Sequence, residues 1–136
     1  MISAEEQMRI AVELATKVAG GGIDPSYYTD DLTVWTSGLG MLSREEYLPK
    51  IAVAKHVWIK PLTMKIDSST AQPGRVVLQT HSHGLLITGE EYTNEYMFLI
   101  EFNEAGKVRH IREYYNAERV RTIFKPAVAK WQALHA

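Results

Sequence analysis

The chain has 136 residues, 46% of them hydrophobic and 23% charged, with a formal net charge of −1 and no cysteine. That is the make-up of one globular domain with an apolar core, and it leaves no electrostatic footprint for nucleic acid or an anionic membrane surface. It excludes disulfides, cysteine–zinc sites and thiol nucleophiles, and no apolar run approaches the ~20 residues that cross a bilayer. The opening MISAEEQMRI is acidic early and lacks a leader pattern, so a cytoplasmic location is expected.

Residues 3–19 read as a helix. Ser3 with Glu6 forms a capping-box pattern, and Met8, Ala11, Val12, Ala15, Val18 and Ala19 recur at helical spacing. Gly20-Gly21-Gly22 ends it. Asp24 and Pro25 open a second, short helix that stops at Asp30-Asp31. Residues 32–36 are a short strand, and residues 37–40 a loop. Ser43-Arg44-Glu45-Glu46 repeats the capping box and opens a helix to about His56, with Pro49 inside it as a kink or a second start. Residues 58–66 are a strand in which Pro61 argues for an edge position or a bulge, and residues 67–74 are a loop.

Residues 74–116 organise the rest: three antiparallel strands at about 75–87, 91–102 and 107–115, joined by Thr88-Gly89-Glu90-Glu91 and Asn103-Glu104-Ala105-Gly106. Alternation sorts their side chains onto two faces. Val77, Gln79, His81 and His83 share one face of the first strand. Asn94, Tyr96, Phe98, Ile100 and Phe102 share one face of the second, and Ile111, Glu113 and Tyr115 one face of the third. Grouped together, these describe a sheet curled around a pocket, apolar at its base and polar at its mouth. The plainer reading is a wet sheet face. Residues 117–124 form a short helix, Pro126 interrupts, and residues 127–135 form a terminal helix. The expected class is therefore α+β, with helices packed on one face of a curved, mostly antiparallel sheet in a single domain over 1–136, of which 125–136 is a helical tail.

YYTDDLTVWTSG, SREEYL and GEEYTNEYMFLIEFNEAGKVRHIREYYN resemble the SnoaL-like branch of the NTF2-like superfamily over about residues 8–124. The resemblance implies a cone-shaped, half-open sheet around a pocket, and often a dimer through the outer sheet face. The same fold hosts ketosteroid isomerases, scytalone dehydratases, limonene epoxide hydrolases, polyketide cyclases and silent binding proteins. Glu113 falls where epoxide hydrolases of this kind carry a carboxylate. His81 and Gln79 fall where they carry a second carboxylate and an arginine, and Val34 and Thr36 where they carry a Tyr-x-Asn pair. Thr36 also holds the position of the isomerases' general-base aspartate. These departures argue against both chemistries in their usual form.

On that fold Thr36, Gln79, His81, Asn94, Tyr96, Phe98, Glu113 and Tyr115 converge on one cavity, with Tyr27 and Tyr28 near its entrance, one of them, such as Tyr28, donating to a ligand and the other packing in the core. His81 and Glu113 are then the expected proton-transfer pair, and the other residues bind substrate. Burial would raise the Glu113 pKa, and a charged His81 beside it would lower it. A His–Glu hydrogen bond that only supports the sheet is the plainer alternative. A metal held by His81, His83 and Glu113 is a poorer reading, and no cofactor is expected. Two functions stay open: a cofactor-independent isomerase, lyase or cyclase acting on a small hydrophobic cyclic or polyketide-like molecule, and a non-catalytic small-molecule binder. A structural subunit like that of ring-hydroxylating dioxygenases is a third, poorer fit. A homodimer is expected through an outer face of Leu78, Thr80, Met97, Leu99, His110, Arg112 and Tyr114.

Overall fold

A computed structural model describes residues 2–136. Ser3 caps α1 (Ala4–Lys17) by accepting from the Glu6 amide at 3.1 Å. The buried stripe of α1 is Gln7, Ile10, Ala11, Leu14 and Ala15, so Met8 and Val12 flank the stripe and are only half-buried. One 3-10 turn (Val18–Gly20) follows. Gly21 and Gly22 then reverse the chain at φ of 104° and 84°, a region other residues enter only with strain.

The short helix after Asp24 is a single 3-10 turn, Pro25–Tyr27, and the strand β1 (Tyr28–Thr36) begins earlier than its polar Thr29-Asp30-Asp31 suggests. It pairs with a strand the sequence did not announce, β2 (Gly40–Ser43). The full capping box of Ser43 and Glu46 starts α2 (Arg44–Ala54). Pro49 is exposed and does not end that helix. The strand β3 (Trp58–Gln72) runs six residues beyond its expected end, because the polar segment Asp67–Gln72 is an exposed edge paired on one side only. Pro61 lies at a bulge in that edge, between Lys60 and Thr63.

The three central strands are β4 (Arg75–Leu86), β5 (Glu91–Phe102) and β6 (Val108–Tyr115). The sheet order is β2-β1-β6-β5-β4-β3, with β1 and β6 parallel and the other pairs antiparallel. Helices α1 and α2 cover the inner face. There Leu14, Leu32, Val34, Leu78, Phe98, Ile100 and Ile111 form the main core.

The inner face of β4 is Val76, Leu78, Thr80, Ser82 and Leu86; Gln79, His81 and His83 point outward. This corrects the expected face of that strand, and with it the expected outer positions of Leu78 and Thr80. The cause is one residue of loop. The grouping of Gln79 and His81 with Asn94 and Tyr96 on one face requires a register one residue different, such as Ile87 opposite Glu90 across a two-residue turn. The chain instead uses three residues, with Gly89 at φ 89° and the Leu86 amide bonded to the Glu90 carbonyl, so Leu85 pairs with Glu91 and Leu78 with Phe98. A slip of one residue exchanges every inward and outward side chain.

After β6, Asn116 caps α3 (Ala117–Arg119), which runs through a π turn (Val120–Phe124) into α4 (Lys125–Leu134). Pro126 does not interrupt this helix. It sits in the first turn of α4, and the wider π turn before it takes up the missing amide donor. Ala127 reaches a second small core of Val57, Leu86 and Tyr92, packed by Trp58, Phe124, Val128 and Trp131. Among the described residues, no helix is long and apolar enough to cross a membrane.

Candidate active site

The parallel pairing of β1 with β6 sets Thr36 beside Glu113, and the antiparallel pairing of β5 sets Phe98 on its other side. All three side chains point inward and are buried. The capping box fixes where α2 starts, and from there Tyr47 and Ile51, one turn apart, face the sheet. The Tyr47 hydroxyl donates to Glu113 Oε1 at 3.2 Å.

Glu113 is 8% exposed and has no ion-pair partner among the described residues. Burial pushes its pKa up to about 7, and the Tyr47 hydrogen bond opposes the rise. Four phenols feel its charge: Tyr28, Tyr47, Tyr96 and Tyr115. Burial raises the pKa of each, and a charged Glu113 adds to that rise, so all four remain protonated donors. The result is one carboxyl group that exchanges its proton near neutral pH inside a ring of neutral hydroxyls.

Of the residues the sequence singled out, Thr36, Tyr28, Tyr96, Phe98, Glu113 and Tyr115 lie on the inner face. His81 does not join them. It is on the outer face, where its Nδ1 sits 2.8 Å and 2.9 Å from the two carboxylate oxygens of Asp67. Gln79, also outward, accepts from the Ser68 hydroxyl at 3.0 Å. The His81–Glu113 pair is therefore not formed, because the β4 register puts the two on opposite faces. The same register separates Glu113 from His81 and His83 as metal ligands. Among the described residues no cluster of three or more histidines and carboxylates is arranged to hold a metal.

Asn94 is buried but already engaged. Its Nδ2 donates to the Tyr92 hydroxyl at 2.7 Å and the Asn116 carbonyl at 3.1 Å, and its Oδ1 accepts from the Asn116 and Glu95 amides. It ties β5 to the start of α3. The Thr36 hydroxyl accepts from the Leu39 amide at 2.9 Å and holds the β1–β2 turn. Tyr47 is the residue that the sequence reading missed. Its signal was available: the first buried position of a helix whose capping box was legible, one turn before Ile51.

The open space lies beside the carboxyl rather than around it. A groove of about 820 Å³ runs between α2 and the C-terminal helix, walled by Pro49, Val53, Phe124 and Val128, and by Leu39 of the β1–β2 turn. Tyr115 also lines it. Behind Tyr115, Ser37 accepts from the Tyr115 amide at 2.9 Å, and the Ser37 amide donates to the Glu113 carbonyl at 3.0 Å. Gly38 lies flat against the Tyr115 ring; a Cβ there would stand 3.1 Å from the phenol oxygen. Tyr96 stacks on Phe98 at 5.6 Å and meets Tyr115 edge-on at 6.1 Å, filling the space nearest the carboxyl.

No family model and no curated protein matches the chain. Solved structures do. The chain is similar to the BvnE pinacolase of Penicillium brevicompactum, at TM-score 0.75 and 17% identity over 96% of this chain and 97% of that one. It is similar to a protein of Jannaschia sp. CCS1 assigned as a SnoaL-like polyketide cyclase, at TM-score 0.71 and 14% identity over 90% and 94%. An NTF2-like protein of Anabaena variabilis matches at TM-score 0.69 and 20% identity over 85% and 94%.

Proposed function

On the NTF2-like fold that this chain adopts, we propose a cofactor-independent enzyme of the SnoaL-like kind, of isomerase, lyase or cyclase type, that moves a proton on a small hydrophobic cyclic or polyketide-like molecule. Glu113 is the group that carries the proton. The observation behind this reading is a carboxyl 8% exposed, hydrogen-bonded by one tyrosine and paired with no cation, whose pKa burial brings to about 7. Structural carboxylates are usually ion-paired or held by several amide donors, which lowers their pKa. A pKa near the working pH instead populates both the base and the acid, which suits general acid–base catalysis. The pinacolase and the cyclase-assigned protein of the same fold make such chemistry a natural comparison.

In this reading the substrate enters by the groove and displaces the Tyr115 ring. Ionised Glu113 takes a proton next to a carbonyl or from a hydroxyl, and protonated Glu113 returns it. The Tyr47 and Tyr28 hydroxyls, both neutral, stabilise the negative charge that develops on the substrate oxygen. His81, on the outer face, has no part in it.

The test is turnover of hydrophobic cyclic ketones, read as deuterium exchange next to the carbonyl, in the parent and in Glu113→Gln. The variant should lose at least ~10²-fold, the low end for a missing general base. A folded Glu113→Gln with full exchange activity would remove Glu113 from the mechanism.

A second reading is a non-catalytic binder. The packing of Tyr96, Phe98 and Tyr115 favours it, because these rings fill the space next to the carboxyl and leave the groove as the roomier site. Ligand affinity without any exchange activity would decide for it.

A further inference from the structure

The groove carries charge of its own, and its charges are unequally occupied. Its acids are Glu46 and Glu118, and its bases Lys50, Arg121 and Lys125. Glu46 is held in the capping box, accepting from the Ser43 amide at 3.1 Å. Glu118 and Arg121 form an ion pair one turn apart on the C-terminal helix. That leaves Lys50 on α2 and Lys125 at the start of α4. Both line the groove, and neither forms an ion pair or a side-chain hydrogen bond among the described residues. Lys50 lies near enough to Glu46, one turn before it, to add to the Ser43 hydrogen bonds that hold that carboxyl below its usual pKa, while Lys125 has no such neighbour in the groove. The two lysines belong to opposite walls, α2 and α4, and the same walls carry the apolar Val53, Phe124 and Val128.

We infer that the groove takes an elongated apolar molecule ending in a carboxylate, with the anionic end held between Lys50 and Lys125 and the apolar part directed along the groove toward Tyr115. This names the class of ligand for the site proposed above and rests on that reading for the groove's being the entrance. The polarity follows from the charges. Glu113 behind Tyr115 is buried with no cation beside it, so an anionic end there would repel its ionised form, whereas a neutral apolar end would not. A solvated rim is also the place where a ligand carboxylate stays partly hydrated while it gains two cations.

The probes are decanoate and 1-decanol, equal in chain length and different only in charge. Titration calorimetry at pH 8 should find decanoate bound about tenfold more tightly than decanol, the combined worth of two partly exposed ion pairs. Lys50→Gln/Lys125→Gln should bring the two probes to equal affinity by weakening decanoate alone, and 0.5 M salt should do the same to the parent. Val53→Glu should weaken both probes, which fixes the site to this groove. Equal affinity of the two probes for the parent would overturn the inference, as would a decanoate preference that survives the double lysine substitution. Failure to bind either probe would overturn it too. Glu113→Gln should bind decanoate like the parent. If that variant keeps full exchange activity while decanoate binding still depends on the lysines, the proton-transfer reading fails and this inference stands. If the lysines prove irrelevant while Glu113→Gln is inactive, the reverse holds.

Discussion

Glu113 makes the folded state pH-sensitive with a definite sign. Its pKa rises from 4.5 to about 7 on folding, because burial disfavours the charged form. Below pH 4.5 the carboxyl is protonated folded and unfolded, and it contributes no difference. Between 4.5 and 7 only the unfolded chain releases the proton, so stability falls as pH rises; above 7 the loss is constant. The full shift corresponds to on the order of 3 kcal/mol. Glu113→Gln should therefore remove most of the decline in denaturation midpoint between pH 4.5 and 7.5, measured by urea titration. A parent that gains stability across that window would contradict the shifted carboxyl. Tyr47 sets the size of the effect. Its hydroxyl opposes the rise, so Tyr47→Phe should move the Glu113 pKa further up, as a carbon-13 titration of the labelled side chain would read. Neither residue's role was fully legible in the chain. Glu113 was found by alternation, because Ile111, Glu113 and Tyr115 leave only one way to face β6. Tyr47 sits in a helix with no marked apolar face, of which only it and Ile51 are buried, and the packing of α2 on the sheet brings it to the carboxyl.

At the scale of elements, capping chemistry and alternation read correctly where they had one solution. Ser3 and Ser43 start their helices where expected, and Asn94, Phe98 and Glu113 face inward as β5 and β6 predicted. Strand β4 had two solutions. Val76, Val77 and Leu78 are apolar in a row and Leu85 and Leu86 likewise, so either face could be the core, and only the length of the Ile87–Gly89 loop decides. The fully buried Phe98, between Leu78 and Glu113 across the sheet, tests that register. Phe98→Ala should cost about 3–5 kcal/mol in urea unfolding, and a loss below about 1 kcal/mol would mean the strand faces are inverted. A long-range tie that no sequence pattern announced is Gln7. It is buried on α1, donates to the Gln72 carbonyl at 2.9 Å and accepts from the Gly74 amide at 2.8 Å, clamping the β3–β4 turn to the helix. Gln7→Leu keeps the apolar contact and strands both backbone groups, so it should destabilise by about 2 kcal/mol.

Among the described residues, the outer face of the sheet is left uncovered by the chain's own helices. With β4 in its true register, the outer sheet face is not Leu78 and Thr80 but Val77, Met97, Leu99 and Tyr114, continued by Trp35 and Met41 on β1 and β2. Met97 and Tyr114 are neighbours across the strands and each is 44% exposed. Arg112, in the centre of this face, is turned onto the rings, its guanidinium 4.4 Å from the centre of Trp35 and its Nε donating to the Tyr114 hydroxyl at 3.0 Å. That hides a charge that would otherwise keep the face wet. The helices all lie elsewhere, so a contiguous apolar surface spanning five strands is left open, and such surfaces mark interfaces. We propose that a second copy of the chain covers it, since a two-fold pairing would set Met97 and Tyr114 of one copy against the same patch of the other. A stable pair would need about 800 Å² from each partner. Sedimentation at micromolar concentration should give twice the monomer mass of 15.4 kDa. Met97→Lys should give the monomer while leaving Phe98 and the inner core untouched, because Met97 points away from them. A parent chain that sediments as a monomer would show that this face is satisfied by water, and the homodimer would have to be given up.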